Sequence, residues 1–375
     1  MKNWQEIADR IIRKERETAR RNRDRIPYTT EAPHRFNDYS APDRIGWWTN
    51  GFWGGILWQL YAATGEDTFR DEAVRVQHRV ESVLLDAGSM DHDSGFRFLL
   101  TFVADYRLTG NADSAGKGIL AATNLAGRFH PKGRWIRAWN DPPGNDRTAG
   151  WAIIDCMMNL PLLFWASEYL ADPRFAQIAM AHADTAGRYF IREDGSARHI
   201  VAFDPVTGGF LRELGGQGMG EGTSWTRGQA WALYGFSLCY RHSGDPAHLE
   251  TAKRIADRWI DRMPEGKLLP VDFDQPEGDG PYDSSAAAIA SCGLIELAEL
   301  LKEDSVRSDR YLAAAEAMLS LLDTLDADYD PEHDEILRSC SVDYHGEAHN
   351  IPLVYGDYFY MEAILRLTGQ AAFLW

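Results

Sequence analysis

Along this chain, stretches that are apolar on every face alternate with stretches that carry a single apolar stripe. GFWGGILWQLYAATG (Gly51–Gly65) is of the first kind and EDTFRDEAVRVQHRV (Glu66–Val80) of the second. A helix covered on all sides is apolar all round, whereas an outer helix buries one stripe. The same sequence of patterns begins again at Met90, Trp151, Thr223 and Tyr282, and a last apolar stretch starts at Val354. Turns are expected near Gly65, Gly110, Asp172, Gly244, Asp304 and Gly369. Glycine after a helix supplies the left-handed position that ends it, and a following Asp or Pro starts the next one. The spacing, roughly 45 to 75 residues, is long for a solenoid repeat.

Six apolar helices, each with an amphipathic partner, predict an all-α fold in which six inner and six outer helices close as an (α/α)6 barrel. One such domain would span residues 1–375, with short β segments in loops such as His199–Leu214. An open solenoid would need a polar cap at each end, and LTGQAAFLW is not polar. The chain is expected to end after the inner helix of its sixth pair.

If every pair runs inner helix, turn, outer helix, the segments before the inner helices all open at one end. Those segments are unusual. They hold Trp47, Trp48, Asn50 and Trp53, then Asp91, His92 and Asp93, then Trp139, Asn140, Asp141 and Asp155. Gln217, Trp225, Arg227, Gln229 and Trp231 follow, then Tyr282 and Asp283, then Tyr355, Asp357 and Tyr358. Acids, aromatics and one Arg at a concave mouth are the ordinary place for a ligand. Aromatic faces beside carboxylates suit a carbohydrate, whose CH-rich face stacks while its hydroxyls hydrogen-bond.

Composition narrows the choice. A formal net charge of −17 argues against a nucleic-acid or anionic-membrane partner. Cys156, Cys239, Cys292 and Cys340 are far apart, so neither a disulfide framework nor a metal site is read from them. Residues 1–25 form a charged amphipathic helix without a signal-peptide core, no apolar run reaches membrane-spanning length, and a cytoplasmic location is expected.

Asp155 opens WAIIDCMMNLPLLFWASE (Trp151–Glu168), which is expected to become helical, with no Lys or Arg close in sequence. A carboxylate buried without a partner tends toward a raised pKa, which a general acid near neutral pH needs. The plain alternative is a helix cap. Caps are also the reading for Asp283 and Asp357, each just ahead of an apolar run. Asp91–His92–Asp93 lacks a further His or Cys at ligand spacing, so no metal is expected there. Arg227 stands among Ala230, Ala232 and Leu233 and needs a carboxylate from the protein or from a substrate.

WTNGFWGGILW, DHDSGF, IIDCMMNLPLLFWA, the Phe-Asp-Pro-x-Thr-Gly hairpin, WTRGQAW, DSSAAAIA and YGDYFYMEA together resemble the unsaturated glucuronyl hydrolases of glycoside hydrolase family 88. The resemblance runs from about Gly46 to the end. It implies an (α/α)6 barrel that acts on oligosaccharides left by polysaccharide lyases, without a cofactor. It places the proton-handling Asp at Asp155, a second essential Asp at Asp93, and substrate contacts at Trp48, His199, Gln217, Arg227 and Trp231. By position in the mouth, His92, Trp139 and Trp225 join the substrate-binding set. An unsaturated rhamnogalacturonyl hydrolase would share fold and chemistry with a pectin-derived aglycone. An N-acylglucosamine 2-epimerase-type isomerase would need paired histidines, for which only His92 and His199 stand out. The expected partner is an unsaturated uronic-acid oligosaccharide, and the chain is expected to be a monomer or a dimer.

Overall fold

In the computed structural model, which describes residues 2–141, 144, 147–278 and 280–375, the first element is α1 (Trp4–Arg21). Inner α2 (Phe52–Thr64) then pairs with outer α3 (Asp67–Val80). The second inner helix is α4 (Ser94–Phe98) and α5 (Ala104–Thr109), joined through a π-helical turn at Leu99–Val103, and its outer partner is α6 (Ala112–Gly127). Inner α7 (Pro161–Leu170), α9 (Thr226–Ser243) and α11 (Ser284–Leu300) alternate with outer α8 (Pro173–Tyr189), α10 (Pro246–Arg262) and α12 (Ser305–Leu325). The last helix, α13 (Val354–Leu367), packs on both α11 and α2 and so closes the inner ring. The architecture is an (α/α)6 barrel.

The sixth outer helix comes from the other end of the chain. α1 lies against α13, with Ile7, Ala8, Ile11 and Ile12 buried along one face. The helical pattern at residues 4–21 was therefore the missing half of the last pair. Gly65, Gly110 and Gly244 end inner helices as expected, but Ala171, at φ 53°, takes that place before Asp172. Asp172 caps α8 by accepting the Arg174 N–H at 3.1 Å.

Short strands sit in the connections. β1 (Thr30–Ala32) pairs with β2 (Arg35–Phe36), and β3 (Phe129–His130) with β4 (Trp135–Ile136). β5 (Trp151–Ile153), β6 (Ile200–Phe203) and β7 (Phe210–Leu214) form an antiparallel sheet in that order. The expected helix in Trp151–Glu168 is thus only partly helical. Its start pairs with β6, residues Ile154–Met158 form a 3-10 turn, and helix begins at Pro161. Proline fits the first turn of a helix, where its missing N–H costs nothing.

Aromatic rings fill the axis below the mouth. Phe96 packs on Trp231 with centroids 5.1 Å apart, Trp231 on Phe359 at 5.4 Å, and Phe359 stacks on Trp375 at 5.7 Å. Trp53 is fully buried and belongs to the core. Among the described residues no helix is long and apolar enough to cross a membrane. Because Ile11 is fully buried between α1 and the barrel, Ile11→Ala should lower the unfolding free energy by about 2–4 kcal/mol in urea titrations. A loss below about 0.5 kcal/mol would mean that α1 is not an integral barrel helix.

Candidate active site

Strand pairing brings the first two site residues together. The β5–β6 ladder continues past Ile153, since the Ile154 N–H donates to the His199 carbonyl at 3.0 Å. Asp155, next in the 3-10 turn, therefore emerges beside His199, with 3.8 Å between Asp155 Oδ1 and His199 Nε2. The Asp155 side chain is 16% exposed, yet Oδ1 has no hydrogen-bond partner among the described residues. Burial lifts its pKa from 3.8 to about 7, against the opposing pull of Arg227 and of its own backbone N–H.

His199 cannot be the proton donor. Burial, with Arg227 and then His92, drops its pKa to about 3, so the ring is neutral. The backbone N–H of Gln217 donates to Nδ1 at 2.9 Å. A nitrogen that accepts carries no proton, and this contact assigns the ring hydrogen to Nε2, toward Asp155. Gly216 makes the contact possible. Its φ is +58°, and a Cβ there would lie 1.9 Å from His199 Nδ1. Gln217 also ties this loop to the segment before α13, its Nε2 donating to the Val342 carbonyl at 2.7 Å.

Asp93 precedes α4 and is also buried. Its carboxyl is pushed well above the usual range by desolvation, then by Asp91 and Asp155. Asn159 connects the two acids. Its Nδ2 lies 3.1 Å from the Asp155 carbonyl and 3.5 Å from Asp93 Oδ1, while its Oδ1 accepts the Phe96 N–H at 2.8 Å. Sequence reasoning passed over Asn159, although it is the only polar residue between Asp155 and Ser167 apart from Cys156. Its position four residues after Asp155 was the available signal. Asp91 is occupied elsewhere, accepting from the Asp93 N–H at 2.9 Å and Arg97 Nη2 at 2.7 Å.

Arg227 is buried and already engaged. Nη1 pairs with Asp283 and donates to the Ser341 carbonyl at 2.5 Å, and Nη2 donates to the Val342 carbonyl at 2.5 Å. Trp225 and Tyr355 lie against the guanidinium at 4.5 and 5.5 Å. Asp283 is the expected cap, accepting from the Ser285 N–H at 3.2 Å, and is also the partner of Arg227. Asp357 is not a cap. It lies inside α13 and accepts the Ile336 and Leu337 N–H groups at 3.1 and 2.7 Å.

The other predicted residues divide by depth. Trp48 is half-buried at the mouth, 5.0 Å from Tyr355 and 5.5 Å from Phe96. Trp139 is 37% exposed, 6.0 Å from Trp151. Trp231, by contrast, has no exposed surface. It forms the floor under Phe96, so the expectation that it stacks directly on a sugar does not hold for this conformation. Trp225 is buried between His199 and Arg227. His92 is buried behind Asp93, with Nε2 3.5 Å from Asp93 Oδ1, and desolvation lowers its pKa to about 4.

Two buried acids thus lie in an aromatic mouth at one end of a closed helical barrel. The family description Glycosyl Hydrolase Family 88 matches residues 16–375. The chain belongs to that family. It is 37% identical to the unsaturated glucuronyl hydrolase of Bacillus sp. (strain GL1), over 94% of this chain and 93% of that protein. The unsaturated chondroitin disaccharide hydrolase of Streptococcus pneumoniae (strain ATCC BAA-255 / R6) is 33% identical, over 88% of this chain and 83% of its own. The crystal structure of the unsaturated glucuronyl hydrolase from Bacillus sp. GL1 superposes with a TM-score of 0.91 at 35% identity, over 97% of this chain and 96% of the other. Within this family 88 barrel, the close approach of Gly216 to His199 yields a direct test. Gly216→Ala should reduce kcat/KM at least about tenfold while the protein remains folded, because the added carbon displaces the ring from Asp155. Unchanged kcat/KM would show that the placement of His199 does not matter.

Proposed function

We propose that this chain removes the 4,5-unsaturated uronic acid from the non-reducing end of lyase-derived, glycosaminoglycan-type oligosaccharides by hydrating the C4=C5 double bond. The observation that carries the reading is Asp155, a carboxyl that faces the mouth and is held near pKa 7 with one oxygen unpartnered. The names of the relatives support the substrate class. The C4=C5 bond, attached to the ring oxygen, is a vinyl ether. Protonation at C4 by Asp155 develops oxocarbenium character at C5. Water then attacks C5 and returns a proton to the Asp155 carboxylate. The hemiketal opens, and the hemiacetal at C1 releases the aglycone with the glycosidic oxygen.

Asp93 has the place to bind ring hydroxyls, and its own carboxyl is raised by burial and by the neighbouring Asp91 and Asp155. The Nε2–H of His199 is available to a substrate oxygen or to Asp155. Arg227, with Nη1 and Nη2 engaged by Asp283 and two carbonyls, supplies positive potential to the uronate carboxylate. Trp48 and Trp139 are the rings with open faces. A paired-histidine isomerase is disfavoured by the low pKa values of His92 and His199 and by the burial of His92 behind Asp93. Four buried free thiols support a reducing, cytoplasmic setting.

The acid must be protonated to act. Its folded pKa lies above 3.8, so activity should hold below about pH 7 and fall as pH rises through 7. Asp155→Asn should lower kcat by at least about 10²-fold with the fold intact. In heavy water one deuteron should appear at C4 of the product, and a saturated glucuronide of the same aglycone should not be cleaved. Cleavage of the saturated compound at a similar rate, or no deuterium at C4, would move the chemistry to the anomeric carbon.

The segment before α13 bears on sulfation. It reads SVDYHGEAHN, with Asp343 half-buried and Glu347 exposed, and contains no Lys or Arg. Carboxylates repel a sulfate in a partly desolvated site. Unsulfated chondroitin or hyaluronan disaccharides should therefore be preferred in kcat/KM, and a clear preference for a 6-sulfated disaccharide would refute this.

A further inference from the structure

The segment between α12 and α13 begins DADYDPEHDE (Asp326–Glu335), which is dense in acids and holds one histidine. The proposed reaction makes no use of it. Here His333 meets His34, from the turn between β1 and β2, although the two are far apart in sequence. Their rings are parallel within 9°, with centroids 3.5 Å apart. Each has its own carboxylate: His34 Nδ1 lies 2.6 Å from Glu335 Oε1, and His333 Nδ1 lies 2.9 Å from Asp328 Oδ2. One donor atom from each of the four residues falls within 4.8 Å of the others.

A second observation points to a ligand. Glu335 is only 2% exposed and reaches into this cluster, yet its Oε2 has no hydrogen-bond partner among the described residues. A buried carboxylate oxygen without a donor is costly, and a cation would satisfy it. Two imidazoles and two carboxylates are a donor set of borderline softness, suited to zinc and its neighbours rather than to calcium or magnesium. A tetrahedral site with bonds of about 2.1 Å needs donors about 3.4 Å apart, so the cluster requires a modest contraction. One ring must also turn out of the stack. His34 and His333 side chains, 43% and 27% exposed, have room to do so.

We propose that His34, Asp328, His333 and Glu335 form a binding site for a divalent transition metal, zinc above all, which clips the β1–β2 hairpin to the segment after α12. The framework is already braced. The Asp334 N–H donates to the His34 carbonyl at 3.2 Å, and Lys14 Nζ and Arg21 Nη2 donate to the His333 carbonyl at 3.0 and 2.9 Å. The ion would thus tie α1, the hairpin and the 326–335 segment into one unit. It takes no part in the reaction proposed for Asp155. A smaller cluster, Asp184, Asp245 and His248, is less suited. Asp245 is committed as the cap of α10 and Asp184 is paired with Arg134.

The test is titration of chelator-treated full-length protein with zinc chloride by calorimetry. One-to-one saturable binding is expected. His333→Ala and the milder His34→Gln should each weaken binding at least about tenfold with kcat/KM preserved, and Asp184→Asn should leave binding unchanged. At a hundredfold excess over Kd, zinc should raise Tm by roughly 3–5 °C in the parent and not in the variants. X-ray absorption should show two imidazole nitrogens at about 2.0–2.1 Å. The proposal is overturned if the parent shows no saturable binding, if binding survives His34→Gln/His333→Ala, or if Asp184→Asn abolishes it. In those cases the four residues are two hydrogen-bonded pairs and nothing more.

Discussion

A carboxyl removed from water but left without a countercharge is the condition on which this site depends. At the mouth of the barrel, Asp155 is desolvated enough to hold its proton near neutrality, yet still reaches the space where a ligand would lie. Full exposure would return it to an ordinary carboxylate, and a direct ion pair would ionise it outright. The surrounding architecture avoids both. Its neighbours in the 3-10 turn, Ile154, Cys156 and Met157, are buried, and the nearest histidine is itself neutral.

Arg227 is the group that could upset this balance, since its charge pulls the pKa of Asp155 down. Asp283 and the carbonyls of Ser341 and Val342 anchor it. The cap of α11 is therefore also a restraint on the guanidinium, and the segment before α13 is part of the same assembly. Breaking a buried pair of this kind leaves a charge uncompensated and costs several kcal/mol. A cation held in place by such partners lowers the pKa of Asp155 without removing the upward effect of its burial.

The sequence pattern made the ring and its mouth legible because inner helices are recognisable by having no polar face. Asp155 and Asp283 could be singled out because an acid next to an apolar run needs an explanation, and Asp93 through the resemblance of its motif to the family's. What could not be read was depth. Trp48 and Trp231 look alike as letters, and only the packing of Phe96 between mouth and floor distinguishes a wall from a foundation. Asn159 and Gly216 were missed for a related reason. Each acts by holding another residue, through contacts that form only after strands and loops far apart in sequence have come together.

The pairing of α1 with α13 also bears on how the molecule is made. Five helix pairs are hairpins of neighbouring segments and can form while the chain is still being synthesised. The sixth pair joins residues more than three hundred positions apart, and the inner ring cannot close until α13 has left the ribosome. Such distant pairing is entropically costly and slow. Until then α1 must wait with its apolar stripe exposed, beside a barrel that still has an open seam. α1, translated long before α13, is among the last elements to find its place, and an unpaired apolar stripe of this kind favours aggregation and proteolysis while it waits.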